Sequence, residues 1–215
     1  MRQTILGVSF ALPVLLGLGL ASCTPPPPPP APSTTQTQDQ IYTGTANNEY
    51  RVHGCNADHV AQTFTAGITG SLDKIALTLA TQTPGPPTLS APPQPIAISI
   101  QTVDINGAPT GIEIGAGASA GPSGVVAYPG VNWEIPLSGP APVVAGTQYA
   151  IVVAESACLT LSDNGWYMVG TASASDAYPG GALWFQNFTG SVWTSWAQVA
   201  GPTTYDNFFT TWVTH

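Results

Sequence analysis

Trp133–Ala154, WEIPLSGPAPVVAGTQYAIVVA, is the stretch whose reading settles the fold class. In WEIPL, Trp133, Ile135 and Leu137 alternate with Glu134 and Pro136, the period-two pattern of a strand with one buried face. In YAIVVA, Tyr149–Ala154, both parities are apolar, as in a central strand covered on both faces; periodicity alone does not separate so short a run from a buried helix segment. The Pro/Gly-rich region between them reads as a turn joining two core strands.

The same alternation recurs on either side. Gln62–Thr65 carries Phe64; within Leu72–Ala80, Ile75, Leu77 and Leu79 point one way; within Ile96–Ile100, so do Ile96, Ile98 and Ile100. Ile112 with Ile114, Leu159 with Leu161, Trp166–Val169, Leu183–Gln186, Val192–Trp196 and Phe208–Val213 continue the pattern. About ten short strands separated by turn signals predict an all-β domain, an antiparallel β-sandwich or jelly roll. Asn106-Gly107 predicts a type I′ hairpin turn, because that turn needs positive φ at both central residues. The Pro-rich insert Thr83–Pro95 fits no central strand and reads as a surface loop. From Ile41 onward no amphipathic helix is legible: the Ala-rich segment Gly115–Gly121 is broken by glycine and lacks an apolar stripe.

The N-terminus divides from this domain by composition. Residues 1–22 combine Arg2 with the apolar run Ile5–Leu20, too short to span a bilayer and read as a signal peptide. Leu20-Ala21-Ser22-Cys23 resembles the bacterial lipobox, in which the signal is cut before a cysteine that is then lipid-modified; an ordinary cut near Ala21 that leaves Cys23 free is the alternative. Lipid on Cys23 anchors the chain to a membrane, and Thr24 rather than Asp after it points, in a Gram-negative host, to the outer membrane. Residues 23–40 are expected to be a tether: polyproline II through Pro25–Pro30 and Pro32, then a flexible Ser/Thr/Gln run. Residues 41–215 are left for the sandwich.

Charge and cysteines narrow the partners. Only 7% of the residues are charged, so the surface is kept wet by neutral polar groups and suits neutral polar ligands. Loss of Arg2 with the signal leaves Arg51 and Lys74 as the basic residues against 11 acidic ones, which excludes nucleic acid as a partner, since phosphate binding needs clustered Lys and Arg. Cys55 and Cys158 remain as a pair in a chain sent to an oxidising compartment, where they can form a disulfide; closing a loop of about 100 residues is worth about 4 to 5 kcal/mol in the chain-entropy model.

Gln62-Thr63-Phe64-Thr65 with IALTLA after it, VDINGAPTG, Trp133–Leu137, AGTQYAIVVA and YPGGALW together resemble a bacterial extracellular β-sandwich module, the choice-of-anchor R type. The similarity covers roughly Ala61–Trp212. It implies a surface-exposed, non-catalytic β-domain of the kind placed beside carbohydrate-active or adhesive modules, and it implies no particular ligand.

Several motifs imitate chemistry without its context. Gly117-Ala118-Ser119-Ala120-Gly121 has the G-x-S-x-G spacing, and Gly115-Ala116-Gly117 with Ala120 imitates a dinucleotide loop, but Pro122-Ser123-Gly124 follows where a helix is needed. His53, Cys55, Asp58 and His59 lie close together in sequence, without the spacing of a tetrahedral zinc site. Asp104-Ile105-Asn106-Gly107 is half of a calcium loop and lacks the later acidic ligand. No cofactor is expected; a structural calcium remains open, with ligands unassigned. Asn187-Phe188-Thr189 is a glycosylation sequon in a chain whose lipobox reads as bacterial.

The candidate ligand site is the C-terminal aromatic set. Tyr178, Trp184, Trp193 and Trp196 accompany Asp176, Asn187 and Asn207 in a Gly/Ser-rich segment, and sugars call for aromatic platforms flanked by Asp, Asn or Gln. The competing reading is that these rings fill the core; Trp193 and Trp196, three apart on one strand, face opposite sides. The sequence thus leads to a lipid-anchored, non-catalytic cell-surface protein that binds extracellular or envelope polysaccharide. A structural or adhesive protein that binds other surface proteins by strand addition is the rival, and a hydrolase using His53 or His59 is a third reading.

Overall fold

The computed structural model describes residues 34–52, 59–81, 95–119, 121, 126–155, 166–173, 178–186, 192–195 and 204–215. Its strands are β1 (Gln36–Tyr42), β2 (Asn48–Val52), β3 (His59–Thr65), β4 (Gly70–Ala80), β5 (Ile96–Val103), β6 (Pro109–Ser119), β7 (Val131–Val143), β8 (Gln148–Glu155), β9 (Trp166–Ser173), β10 (Leu183–Gln186), β11 (Trp193–Ser195), β12 (Thr204–Asn207) and β13 (Phe209–Thr214). There is no helix among the described residues. Two antiparallel sheets form a β-sandwich. One has seven strands in the order β1-β13-β4-β9-β12, with β7 also on β4 and β2 also on β9; the other has six, β11-β10-β3-β8-β5-β6.

The alternating stripes meet between the sheets. Ile96, Ile98 and Ile100 of β5 and Tyr149, Ile151 and Val153 of β8 face Leu72, Ile75, Leu77 and Leu79 of β4 in one buried cluster. Each such aliphatic side chain contributes roughly 1.5–3 kcal/mol when fully buried. YAIVVA is the core of β8, flanked by β3 and β5, and its second parity is buried too, with Ala150 at 0% and Val152 at 5% exposure.

The Pro/Gly region after WEIPL is part of one long strand and is not a turn. β7 runs through to Val143, with Leu72 of β4 opposite Ala141 and Lys74 opposite Pro136, so the four residues Leu137–Pro140 bulge out against the single residue Asp73 of β4. Among the described residues β7 pairs with β4 alone, and its other edge tolerates proline because no ladder bond is needed there. The chain reverses afterwards at Val144–Thr147, where Thr147 N–H donates to Val144 C=O (3.0 Å) and Gly146 takes a φ of 80°.

Two further expectations change. Gln36–Gln40, expected in the tether, is strand: β1 pairs with β13 from Gln36 opposite Thr214 to Tyr42 opposite Phe209. The Asn106-Gly107 hairpin forms, but Gly107 (φ 83°) follows the turn, which its N–H closes onto Asp104 C=O (3.0 Å), the form of a three-residue loop with a left-handed last residue. Asp104 Oδ1 accepts from the N–H groups of Asn106 (2.8 Å) and Ala108 (2.9 Å). Above all the bond from Ala108 holds this carboxyl below the usual carboxylate range. The strand expected at Leu159 and Leu161 lies outside the described residues, as do Cys23, Cys55, Cys158, His53 and Asp58.

A buried polar link joins the sheets. Gln62 of β3 donates through Nε2 to Asp206 Oδ1 (3.0 Å) and accepts at Oε1 from Asn207 N–H (2.7 Å), both on β12. Asp206 Oδ2 also accepts from Tyr178 N–H (3.2 Å). Gln62, Asp206 and Asn207 are each at most 2% exposed, so these bonds form away from competing water.

Candidate functional site

In a two-layer sandwich the outer faces meet solvent, and small apolar residues on such a face mark it as unusual. Because β3 turns Val60, Gln62 and Phe64 inward, it turns His59, Ala61 and Thr63 outward; β8 turns out Ala150, Val152 and Ala154, and β5 turns out Ala97, Ser99 and Gln101. Register sets these side chains in rows across the six-stranded sheet. Trp184 lies opposite Ala61, Ala61 opposite Val152, Val152 opposite Ser99, and Ser99 opposite Ala116. In the next row Gln101 lies opposite Ala150 on one side and Glu113 on the other. In the row beyond Trp184, Trp193 lies opposite Gln186 and Gln186 opposite His59.

Small side chains over β8 and β5 let this face sink. The result is an open trough of about 360 Å³ whose lining includes His59, Ser99, Gln101, Glu113, Ala116 and Val152. Its polar groups are ordered by a β-bulge, since the β5–β6 register slips on both sides of Gln101. At the bulge Gly111 has a φ of 81° and donates its N–H to Gln101 Oε1 (2.9 Å), and Gln101 Nε2 donates to Ser99 Oγ (3.1 Å).

The aromatic set is distributed between the interior and this outer face. Tyr178 is 8% exposed and belongs to the core between the sheets, edge-on to Phe209 with ring centroids 5.0 Å apart, its hydroxyl donating to Gln40 Oε1 (3.2 Å). Burial pushes its phenol up to about 12, with Asp39 and Asp206 nearby adding to the shift. Tyr178 therefore presents no platform. Trp184 does lie on the outer face, packed with Ala61, Ala150 and Val152, and is 7% exposed. Its indole N–H is buried and has no hydrogen-bond partner among the described residues. Trp193 is half-buried against it. Asp176, Asn187 and Trp196 lie outside the described residues, and Asn207 is inside the intersheet link.

Ser99, Gln101 and Glu113 were not singled out by sequence reading. The available signal was the double-sided apolarity of YAIVVA beside the Ala97-Ser99-Gln101 parity of β5: a two-layer sandwich has no third layer, so that second stripe is covered by side chains of its own sheet, Trp184 above all. His59 sits at one wall and Glu113 at the other, three strand spacings apart across the sheet and, since Glu113 is in register with Thr63, four residues apart along the strands, roughly 19 Å between backbones, too far for the two side chains to hydrogen-bond as a base and its partner. No three His, Cys, Asp or Glu side chains come together as metal ligands among the described residues.

No model of a known protein family matches the chain, and a comparison with curated proteins finds no match either.

Proposed function

We propose that this chain is a non-catalytic lipoprotein of the bacterial cell surface, of the choice-of-anchor R type, whose β-sandwich binds carbohydrate through the outer face of the six-stranded sheet. The observation that carries the reading is the trough of about 360 Å³, with Ser99, Gln101 and Glu113 along one side and a floor of small residues. A shallow apolar floor with a few fixed polar groups suits a ring whose faces are C–H and whose rim is hydroxyl, and half-exposed Trp193 adds an aromatic surface on the same sheet two strands beyond His59, outside the trough itself. The distance between His59 and Glu113 favours binding over hydrolysis.

On this reading the lipid is on Cys23, and Thr24–Pro32 as polyproline II holds the domain about 28 Å from the membrane. The cystine pairs Cys55 with Cys158. Its support is the placement of the strand ends that flank both cysteines: Val52 lies opposite Trp166 in one sheet and Val60 opposite Val153 in the other, so the two connections leave and enter the sheets side by side. Non-reducing peptide mapping tests the cystine, and a mass increase on the Cys23 peptide tests the lipid.

Binding is tested by retention of the full chain on gels containing polysaccharide, beside Ala116→Trp, which fills the trough from a partly exposed position outside the core. Retention abolished in a variant with unchanged melting supports the site; equal retention rejects it. A second reading, a protein partner added along β6, is favoured by Ile112 (63% exposed) on this edge strand and Ile105 (101%) at its hairpin tip. Retention by a surface protein that is lost on Ile112→Lys would support it.

A further inference from the structure

Resting on the reading of the trough as the ligand site, we infer that it is built for an uncharged, polyhydroxylated ligand, a neutral glycan a few sugar units long, and that the bulge at Gly111 sets this selectivity.

The backbone N–H of Gly111 can be met only by the amide oxygen of Gln101, so this side chain has one orientation. Nε2 is thereby turned to Ser99 and donates to its Oγ. With the oxygen accepting that bond, the Ser99 hydroxyl hydrogen is left to donate into the trough. Glu113, opposite Gln101 in register, is an acceptor when ionised. A donor and an acceptor thus stand on neighbouring strands, the pairing that vicinal hydroxyl groups satisfy because each both donates and accepts.

Charge excludes the anionic alternatives. Lys74 lies on β4 of the other sheet, where it is bound to Glu134 (2.9 Å) and sits 4.1 Å from the centroid of the Trp212 ring. Arg51 belongs to β2, also in the other sheet, and Arg2 to the signal segment. Among the described residues no lysine or arginine lines the trough, and Glu113 there repels carboxylate, sulfate and phosphate groups. The trough crosses β3, β8, β5 and β6, three spacings of ~4.8 Å, a reach of about 14 Å that exceeds one sugar ring.

The test uses the full chain in a non-glycosidic detergent at pH 8, with dextran, mannan and xylan as uncharged probes and alginate and pectate as anionic ones. Gln101→Glu keeps the side-chain shape and the bond from Gly111, but its carboxylate takes the Ser99 hydroxyl as a donor and adds a charge. The expected result is binding to at least one uncharged polymer and to neither anionic one, weakened at least ten-fold by Gln101→Glu and by Ser99→Ala, with melting unchanged. Binding to alginate or pectate that Ser99→Ala weakens would overturn the neutral selectivity while leaving the trough as the site. Binding to an uncharged polymer that is untouched by Gln101→Glu, Ser99→Ala and Ala116→Trp would overturn the trough itself. Failure to bind every polymer would overturn both.

Discussion

Replacing Gln62 with leucine isolates the polar link between the sheets, because leucine keeps nearly the same volume and removes both hydrogen-bonding atoms. Three groups lose their glutamine partner: the Asn207 backbone N–H, bonded at 2.7 Å, Asp206 Oδ1, bonded at 3.0 Å, and the Thr63 carbonyl, bonded at 3.2 Å. Leaving a buried donor unsatisfied costs about 1–3 kcal/mol, and a bond to a charged group is worth about 1.5–3 kcal/mol. The added apolar burial of leucine offsets part of this, so the net loss is about 2–4 kcal/mol. For a domain the size of Thr34–His215 that lowers the melting temperature by about 4–16 °C. Urea unfolding followed by tryptophan fluorescence reads the change as a lower midpoint with an unchanged slope. The Gln62→Leu/Asp206→Leu double variant should cost less than the two single losses added, since each single loss strands the other partner. A Gln62→Leu variant within about 0.5 kcal/mol of the parent, or strict additivity in the double variant, would refute the claim that this link holds the sheets together. Because Gln62 faces inward and Ala61 outward, the carbohydrate binding proposed for the outer face should be retained well below the melting temperature.

Tyr178 gives a pH signature. Its folded pKa of about 12 lies above the ordinary 10.0, so its contribution is fully present below pH 10 and is lost as pH rises through 12, the unfolded chain ionising first. The urea midpoint should fall more steeply between these values in the parent than in Tyr178→Phe; parallel profiles would count against the buried phenol. Gly181→Ala places a Cβ on the Thr63 carbonyl, which forces the β10–β3 pairing apart; a loss of at least about 2 kcal/mol and altered near-UV dichroism from Trp184 are expected, and a neutral substitution would contradict the close approach. Asp104→Ala frees the Asn106 and Ala108 amides, so their hydrogen exchange should accelerate while that of β8 does not; unchanged exchange at both would remove the side-chain cap from the account of this hairpin.

Asp39 and Glu49 act in the opposite sense to Asp104. Burial raises both carboxyls, so each disfavours the folded state when ionised, and this effect is relieved as pH falls through the raised values. Asp104, held low, contributes stability above its ordinary value of 3.8 that is lost as pH falls further. Stability is therefore expected to hold or rise on mild acidification before falling at lower pH, and a urea-midpoint series from pH 7 to 3 checks the order.

Strands whose alternation is apolar were legible in the chain, because period two is a property of neighbouring residues: Ile96, Ile98 and Ile100, or Ile75, Leu77 and Leu79, announce an inward face without reference to any partner. β1, with QTQDQIY, carries no such stripe; it is a strand because β13 offers it a backbone edge, and that offer is made from the far end of the chain. The aromatic cluster was legible as composition, whereas its division into Tyr178 in the core and Trp184 and Trp193 on the outer face depends on which sheet each strand joins. The trough was least visible. His59, Ser99, Glu113 and Val152 come from four strands of which only β5 and β6 are consecutive, and the order of the rest is set by long-range backbone pairing and the packing of whole faces, which no local pattern encodes.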